Sequence, residues 1–269
     1  MATRLPVAPA ADPALRHAMG QHFLRAPRII DTIVNAAQIG PGDRIWEIGC
    51  GDGALTGPLW DKQRRLTIIE LDPTLAAAAL AQWPQIHLER GDAVQLLPQM
   101  AQRLTTDMLP TVVVSNLPYS AATAILRAFF LPAYRETRLV LMFQREVALR
   151  ILGRTPSDRG PLAGMAPLLY EIRSVVRVAP GAFNPPPKVE SEVLAFTPRS
   201  DPVAQQVRQQ ADAYWAFLTR AFAARRKTLR NNLPQLRVLA DLEEVSGLRP
   251  ERLSPPQLWA LYQRLVVAS

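Results

Sequence analysis

Four residues near the middle of the chain, Asn116-Leu117-Pro118-Tyr119, bring together a side-chain amide, a stiff turn and a flat phenol ring. They follow the apolar run Thr111-Val112-Val113-Val114 and Ser115, whose length and β-branched content predict a buried parallel strand. Asn116 then stands at the C-terminal end of that strand, where open α/β sheets place their ligands. Pro118 fixes its own φ and disfavours helical geometry at Leu117, so the turn is expected to be stiff and extended. Such a turn can hold the Asn116 amide oxygen and the Leu117 carbonyl towards one point, with the Tyr119 ring beside them. Two acceptors and a flat ring suit a planar base carrying an exocyclic amine, which is what methylation of adenine at N6 demands. A plainer reading of these residues alone is a strand-to-helix loop with an Asn cap and a packed Tyr.

Polar groups also end the other expected strands. Arg44–Ile48 runs into Gly49-Cys50-Gly51-Asp52-Gly53, where the glycines allow a tight turn and close contact between backbone and ligand. Leu66–Leu71 carries Glu70 near its end, roughly twenty residues after the first glycine, the spacing of a carboxylate that accepts from a ribose hydroxyl pair. Ile86–Arg90 ends in Gly91-Asp92-Ala93, and Asp92 can accept from an adenine amine. The spacing Gly49-x-Gly51-x-Gly53 is not the Gly-x-Gly-x-x-Gly of NAD sites. The combination resembles the Rossmann-like class I fold of S-adenosylmethionine-dependent methyltransferases.

Composition bounds the partners. A chain of 269 residues has room for one large α/β domain and a small second one. No apolar run is long enough to span a membrane. With 31 Lys+Arg against 23 Asp+Glu the net charge is +8, which favours encounter with RNA or DNA ahead of acidic lipid. The single cysteine, Cys50, excludes an internal disulfide and sits between two glycines, where a small structural residue suits better than a nucleophile. Three scattered histidines offer no metal-ligand spacing, so no metal is expected.

The remaining elements are arranged around those strand ends. Residues 1–18 read as a flexible, Ala/Pro-rich tail and Arg25–Ile39 as a helix. Helices are expected over Ala121–Leu131 and from Gln144 onward, with a polar loop over Thr155–Pro161. Strands Glu171–Ala179 and Val189–Thr197 close the sheet. Between them Phe183-Asn184-Pro185-Pro186-Pro187-Lys188 predicts an extended path with Phe183 exposed, or a rigid crossover with Phe183 tucked into the core. Pro198–Pro202 marks a boundary between an α/β domain (19–199) and a small all-α domain (200–269). In the latter, helices are expected over Val203–Ala224, Thr228–Leu233, near Val238–Val245 and over Pro255–Val267. From Arg199 onward there are eleven Lys/Arg against six Asp/Glu. Arg225-Arg226-Lys227 with Arg230 is the densest basic cluster, either a solvated helix face or a phosphate track.

Assembled, these motifs resemble the bacterial small-subunit ribosomal RNA adenine N6,N6-dimethyltransferases. The matching stretches are Gly20-Gln21-His22-Phe23-Leu24, Glu47-Ile48-Gly49-Cys50-Gly51, Glu70-Leu71-Asp72, Asn116-Leu117-Pro118-Tyr119, Phe143-Gln144-Arg145-Glu146-Val147, the Phe183 segment through Val189, and Arg225-Arg226-Lys227-Thr228-Leu229-Arg230-Asn231-Asn232-Leu233. The resemblance implies a cytoplasmic, monomeric enzyme that uses S-adenosylmethionine to dimethylate two adjacent adenosines in the 3′-terminal hairpin loop of 16S rRNA within the 30S subunit. It places Gln21, His22, Leu24, Gly49, Gly51, Glu70, Leu71, Asp92, Ala93 and Asn116 at the cofactor. Asn116, Leu117, Pro118 and Tyr119 would then act on the acceptor base, with Phe183 stacking on it, and Arg225, Arg226, Lys227, Arg230 and Lys188 would contact RNA. Arg16-His17-Ala18-Met19, Ser120-Ala121-Ala122-Thr123 and Gly160-Pro161-Leu162 depart from the family pattern, and the first of these puts part of the RNA footprint in question. Three other readings stay open: a 23S rRNA adenine N6-methyltransferase of the resistance type, a non-catalytic RNA-binding assembly factor, and a small-molecule methyltransferase.

Overall fold

Valines dominate the strand that carries Asn116 because it is covered on both faces, as a central parallel strand must be. The computed structural model describes residues 22–224, 226–238 and 242–267. A two-residue strand β1 (Phe23–Leu24) leads into helix α1 (Pro27–Ala36). Four strand–helix steps follow: β2 (Ile45–Ile48) and α2 (Thr56–Lys62), β3 (Leu66–Glu70) and α3 (Pro73–Gln82), β4 (His87–Arg90) and α4 (Ala93–Arg103), β5 (Val112–Asn116) and α5 (Ala122–Ala128). Then come β6 (Arg138–Gln144), α6 (Arg145–Leu152), α7 (Pro161–Leu169), β7 (Tyr170–Val178), β8 (Phe183–Asn184) and β9 (Ser191–Pro198). Only helices follow among the described residues: α8 (Pro202–Gln209), α9 (Ala211–Ala221), α10 (Leu229–Asn232), α11 (Glu243–Ser246) and α12 (Pro255–Val267).

The main sheet has the order β4-β3-β2-β5-β6-β9-β7, and β1 pairs separately with β8. Strands β4 to β6 are mutually parallel, and β9 runs antiparallel to β6. Strand order reverses between β2 and β5, so the crevice at their C-terminal ends is the switch point at which α/β sheets bind ligands. The opposite end of the sheet is locked. Asp43 accepts from Arg138 at 2.8 Å and from the Thr111 hydroxyl at 2.6 Å. Burial opposes that charge, but the bonds from the Gly40 amide, Thr111 and Arg138 prevail and hold the carboxyl below its usual range. One face of the sheet packs Val112, Val114, Val140 and Val193 against Ile33 and Val34 of α1.

The chain forms two compact units. One takes the described residues up to Phe129 together with Glu136–Arg145 and Arg173–Phe196; the other takes Phe130–Arg135, Glu146–Ile172 and the described residues from Thr197 onward. Thr197 adjoins the expected boundary at Pro198–Pro202, but the second unit also draws in two segments that precede it. Within that unit Tyr214 packs edge-on to Trp259 with ring centroids 4.9 Å apart, and Arg208 lies 4.9 Å from the Tyr170 ring centroid.

Several expectations need correction. The helix expected over Arg25–Ile39 is shorter, starting with Pro27 in its first turn and stopping before Gln38, whose φ of 48° breaks the helix. The single helix expected over Val203–Ala224 is two, divided at Gln210, which leaves helical geometry at φ −113° and ψ 22°. Helix α7 was not anticipated; Pro161 in its first turn after Gly160 was the available signal. The expected helix near Val238–Val245 is a 3-10 turn at Pro234–Val238 and the short α11, with 239–241 outside the described residues. Residues 1–18 also lie outside them.

Candidate active site

A cavity of about 620 Å³ opens at the C-terminal ends of β2, β3, β4 and β5. Its walls include Gly49 and Gly51 after β2, Glu70 and Leu71 at the end of β3, Asp92 and Ala93 after β4, and Asn116 to Tyr119 after β5. His22 and Phe23 of the β1 segment complete it. Gly49 adopts φ +72°, and a Cβ there would meet no atom within 4 Å, so the bare backbone faces open space. Gly51 adopts φ +55°, and a Cβ built on it would lie 3.0 Å from the Phe23 ring. Both positions therefore require glycine.

Glu70 is buried, yet its carboxylate is held by neutral donors. Oε1 accepts from the Asp72 amide at 2.9 Å; Oε2 accepts from the Gly51 amide at 3.3 Å and from the Cys50 thiol at 3.4 Å. A carboxylate offers about four acceptor positions, so capacity remains for a ligand hydroxyl. Burial raises the Cys50 thiol far above its usual value, so it acts as a donor and not as a nucleophile. Behind the loop, the buried Glu47 accepts from the Thr56 hydroxyl at 2.7 Å. Its carboxyl is pushed up to about 8, first by burial, with the charges of Glu70 and Asp52 adding to the effect against the Thr56 bond. Asp92 caps α4 by accepting the Val94 amide through Oδ1 at 2.9 Å. Oδ2 makes no hydrogen bond among the described residues.

At the head of the cavity the Asn116 Nδ2 donates to the His22 carbonyl at 3.1 Å. The donor end of the amide is thereby occupied, and Oδ1 remains as a free acceptor among the described residues. His22 is fixed in turn, since its Nδ1 donates to the Pro185 carbonyl at 2.9 Å. The Tyr119 hydroxyl shares a hydrogen bond of 2.7 Å with the buried Ser191, and its ring lies 5.8 Å from that of His22, tilted by 33°. Burial raises the Tyr119 phenol above its usual value, so it remains protonated.

The sequence profile of the family described as ribosomal RNA adenine dimethylase matches residues 14–249. The chain belongs to that family. Among relatives of the ribosomal RNA adenine dimethylases, the ribosomal RNA small subunit methyltransferase A of Syntrophotalea carbinolica is 38% identical over 256 residues, covering 91% of this chain and 94% of the relative. The protein of the same name from Chromobacterium violaceum is 35% identical over 246 residues, covering 88% and 90%. Two solved structures share the architecture. A dimethyladenosine transferase from Plasmodium falciparum superposes with a TM-score of 0.73 at 24% identity, covering 92% of this chain and 98% of that one. The 23S rRNA methyltransferase ErmE superposes at 0.60 with 25% identity, covering 90% and 99%. The class I methyltransferase fold expected from the strand ends is the fold of this dimethylase.

Of the residues assigned to the dimethylase site from the sequence, His22, Gly49, Gly51, Glu70, Leu71, Asp92, Ala93, Asn116, Leu117, Pro118 and Tyr119 line one cavity. Leu24 does not; it is buried in the core. Of the two readings of Phe183, the exposed one is overturned and the rigid crossover with the ring tucked into the core holds. Phe183 is 4% exposed, pairs with Leu24 across β1 and β8, and packs in the core, while the proline-rich segment that follows the two-residue strand β8 runs largely over the surface. Gln21 and Arg225 lie outside the described residues, and Arg226, Lys227, Arg230 and Lys188 are exposed. Ser191, which anchors Tyr119, was missed, and a lone serine starting a strand carries no signal of that role. Phe23, Asp72 and Pro73 also line the cavity. Each stands within two residues of one expected at the cofactor.

Proposed function

We propose that this chain dimethylates N6 of two adjacent adenosines in the 3′-terminal hairpin loop of 16S rRNA, with S-adenosylmethionine as methyl donor. The observation that carries the reading is the Asn116 amide, turned by the His22 carbonyl so that an acceptor is left at the head of the cavity that Glu70 and Asp92 line. The cavity fits the donor. Gly49 presents open backbone, Glu70 keeps acceptor capacity for a ribose, and Asp92 Oδ2 is available to an adenine amine. Leu71, 69% exposed at the rim, offers an apolar face for a purine. When bound, S-adenosylmethionine supplies a methyl group already activated by its sulfonium.

The chain's own residues do the rest. Asn116 Oδ1 and the Leu117 carbonyl accept from the acceptor amine, which favours a pyramidal nitrogen and frees the lone pair from the ring. Both acceptors sit on a turn stiffened by Pro118, so most of the rate gain comes from orientation. Tyr119, held by Ser191, stacks on a base drawn out of its loop. The stacking role that the resemblance gives Phe183 conflicts with its burial.

Arg226, Lys227 and Arg230, with Lys188, follow the RNA backbone, and Arg225 and Gln21 are assigned their RNA and cofactor roles by family resemblance alone. We take the enzyme to act as a cytoplasmic monomer on the 30S subunit, with residues 19–199 as catalytic domain and 200–269 as RNA-binding domain. No helix among the described residues is long and apolar enough to cross a membrane. The similarity to ErmE keeps a 23S rRNA substrate as the second reading, while the small-subunit names of the relatives favour 16S. Incubating the protein with labelled S-adenosylmethionine and either unmethylated 30S particles or protein-free 23S rRNA decides between them. Label in two neighbouring adenosines of the 16S 3′ hairpin is expected; label confined to 23S rRNA would overturn the assignment.

A further inference from the structure

Residues His22 to Arg25 cross the mouth of the glycine loop as a strap. One edge of it is tied to the 182–185 segment. Phe23 pairs with Asn184 and Leu24 with Phe183, the Arg25 amide donates to the Ala182 carbonyl at 2.7 Å, and the His22 ring is bonded to the Pro185 carbonyl. Towards the glycine loop the strap presents two side chains. The Phe23 ring lies on Gly51, and the Arg25 guanidinium makes an ion pair with Asp52, the residue between Gly51 and Gly53. That guanidinium also lies 6.0 Å from the Phe23 ring centroid, so the pair and the aromatic contact form one cluster.

We propose that Arg25 and Asp52 are a positioning pair that holds the strap against the glycine loop and so sets how tightly the cavity retains its cofactor. The proposal rests on reading the cavity as the S-adenosylmethionine site. The strap and the loop are two walls of the same cavity: His22 and Phe23 line it from one side, Gly49 and Gly51 from the other. The strap also carries the carbonyl that orients Asn116. An ion pair between a half-exposed Arg25 and a less exposed Asp52 adds little to global stability. Its effect is local, because short segments open with much less free energy than the whole domain. Parting the strap from the loop separates two cofactor walls while the sheet beneath stays folded.

The test is a double-mutant cycle with Arg25→Gln, Asp52→Asn and the double variant, with Arg25→Lys as the conservative control. Calorimetric affinity for S-adenosylmethionine should fall about 2- to 5-fold in each single variant, the range of an exposed ion pair. The double variant should lose no more than the weaker single variant, and Arg25→Lys should recover most of the loss. Cofactor KM should rise by more than kcat falls, and amide exchange over 49–53 should quicken in the free protein. Losses that add in the double variant, or parental affinity in every variant, would overturn the pairing. Failure of the parental protein to bind S-adenosylmethionine at all would instead overturn the cofactor assignment beneath it.

Discussion

The side-chain amide of Asn116 donates to the backbone carbonyl of His22 at 3.1 Å, across 94 residues of sequence. An amide has one donor end and one acceptor end, and the carbonyl takes the donor. The acceptor end is thereby committed before any ligand arrives. Preorganisation of this kind costs nothing at the moment of reaction, which is why it is effective in catalysis.

Glu70 should bind the ribose of the cofactor and also tie the glycine loop, because its carboxylate already accepts from the Gly51 and Asp72 amides. Loss of a hydrogen bond to a charged group costs about 1.5–3 kcal/mol, so Glu70→Ala should weaken S-adenosylmethionine by about 10- to 150-fold. Calorimetry on the folded variant measures it. Unchanged affinity would remove the ribose assignment.

Tyr119 separates ring from hydroxyl. Tyr119→Phe loses the bond to Ser191 and leaves a buried hydroxyl unpaired, at a cost to stability of about 1–3 kcal/mol. The ring face remains, so binding of the 30S substrate should change little. Tyr119→Ala should weaken substrate binding by about 1–3 kcal/mol, the value of one base stacked on an aromatic. Equal substrate affinity in the two variants would show that the ring does not stack on the target.

Glu47 predicts a pH dependence of stability. Its folded carboxyl titrates at about 8 against an ordinary value of 4.5, so the native state holds the proton over that window and the unfolded state does not. Its contribution is therefore full below pH 4.5 and is lost as pH rises towards 8, by on the order of a few kcal/mol. Glu47→Gln removes the ionisation and can still accept from Thr56. Denaturant unfolding should find the variant more stable than the parent above pH 8, with the gap closing at acid pH. A gap that does not change with pH contradicts the assignment.

The exposed Arg226, Lys227 and Arg230 should act through phosphate. Neutralising all three should lower 30S affinity and reduce the magnitude of the salt slope by about 0.7–0.9 for each lost contact. Calorimetric binding of S-adenosylmethionine is the control. An unchanged slope makes the cluster a solvated surface.

Most of the site was legible because β2, β3 and β5 are mainly apolar, buried strands that end at a glycine or a polar residue, while the polar edge strand β4 is marked by the Gly91-Asp92 turn that follows it. In a parallel sheet those stops all fall on one edge. Burial on both faces made Val112, Val113 and Val114 easy to read as a central strand. What escaped was set by long-range pairing. Phe183 could be left only as exposed or tucked into the core, because the Leu24 it pairs with is far away in sequence and a proline-rich segment carries no periodicity that decides between the two. Ser191 anchors Tyr119 through a similar long-range meeting, of β9 with the β5 turn, that neither stretch announces. Residues 130–135 and 146–172 group with the later helices out of sequence order, an association that no local pattern announces.

The most direct test of the central claim is single-turnover methylation of unmethylated 30S by Asn116→Ala, at saturating S-adenosylmethionine, with RNA affinity measured separately. Loss of one preorganised polar contact typically costs on the order of 10²–10³ in rate, and a drop of that size with near-parental RNA affinity is expected. Asn116→Asp should be impaired as well, since a carboxylate cannot donate to the His22 carbonyl and loses its orientation. A folded Asn116→Ala protein that transfers methyl groups at the parental rate would contradict the role given to this amide, and with it the mechanism built on it.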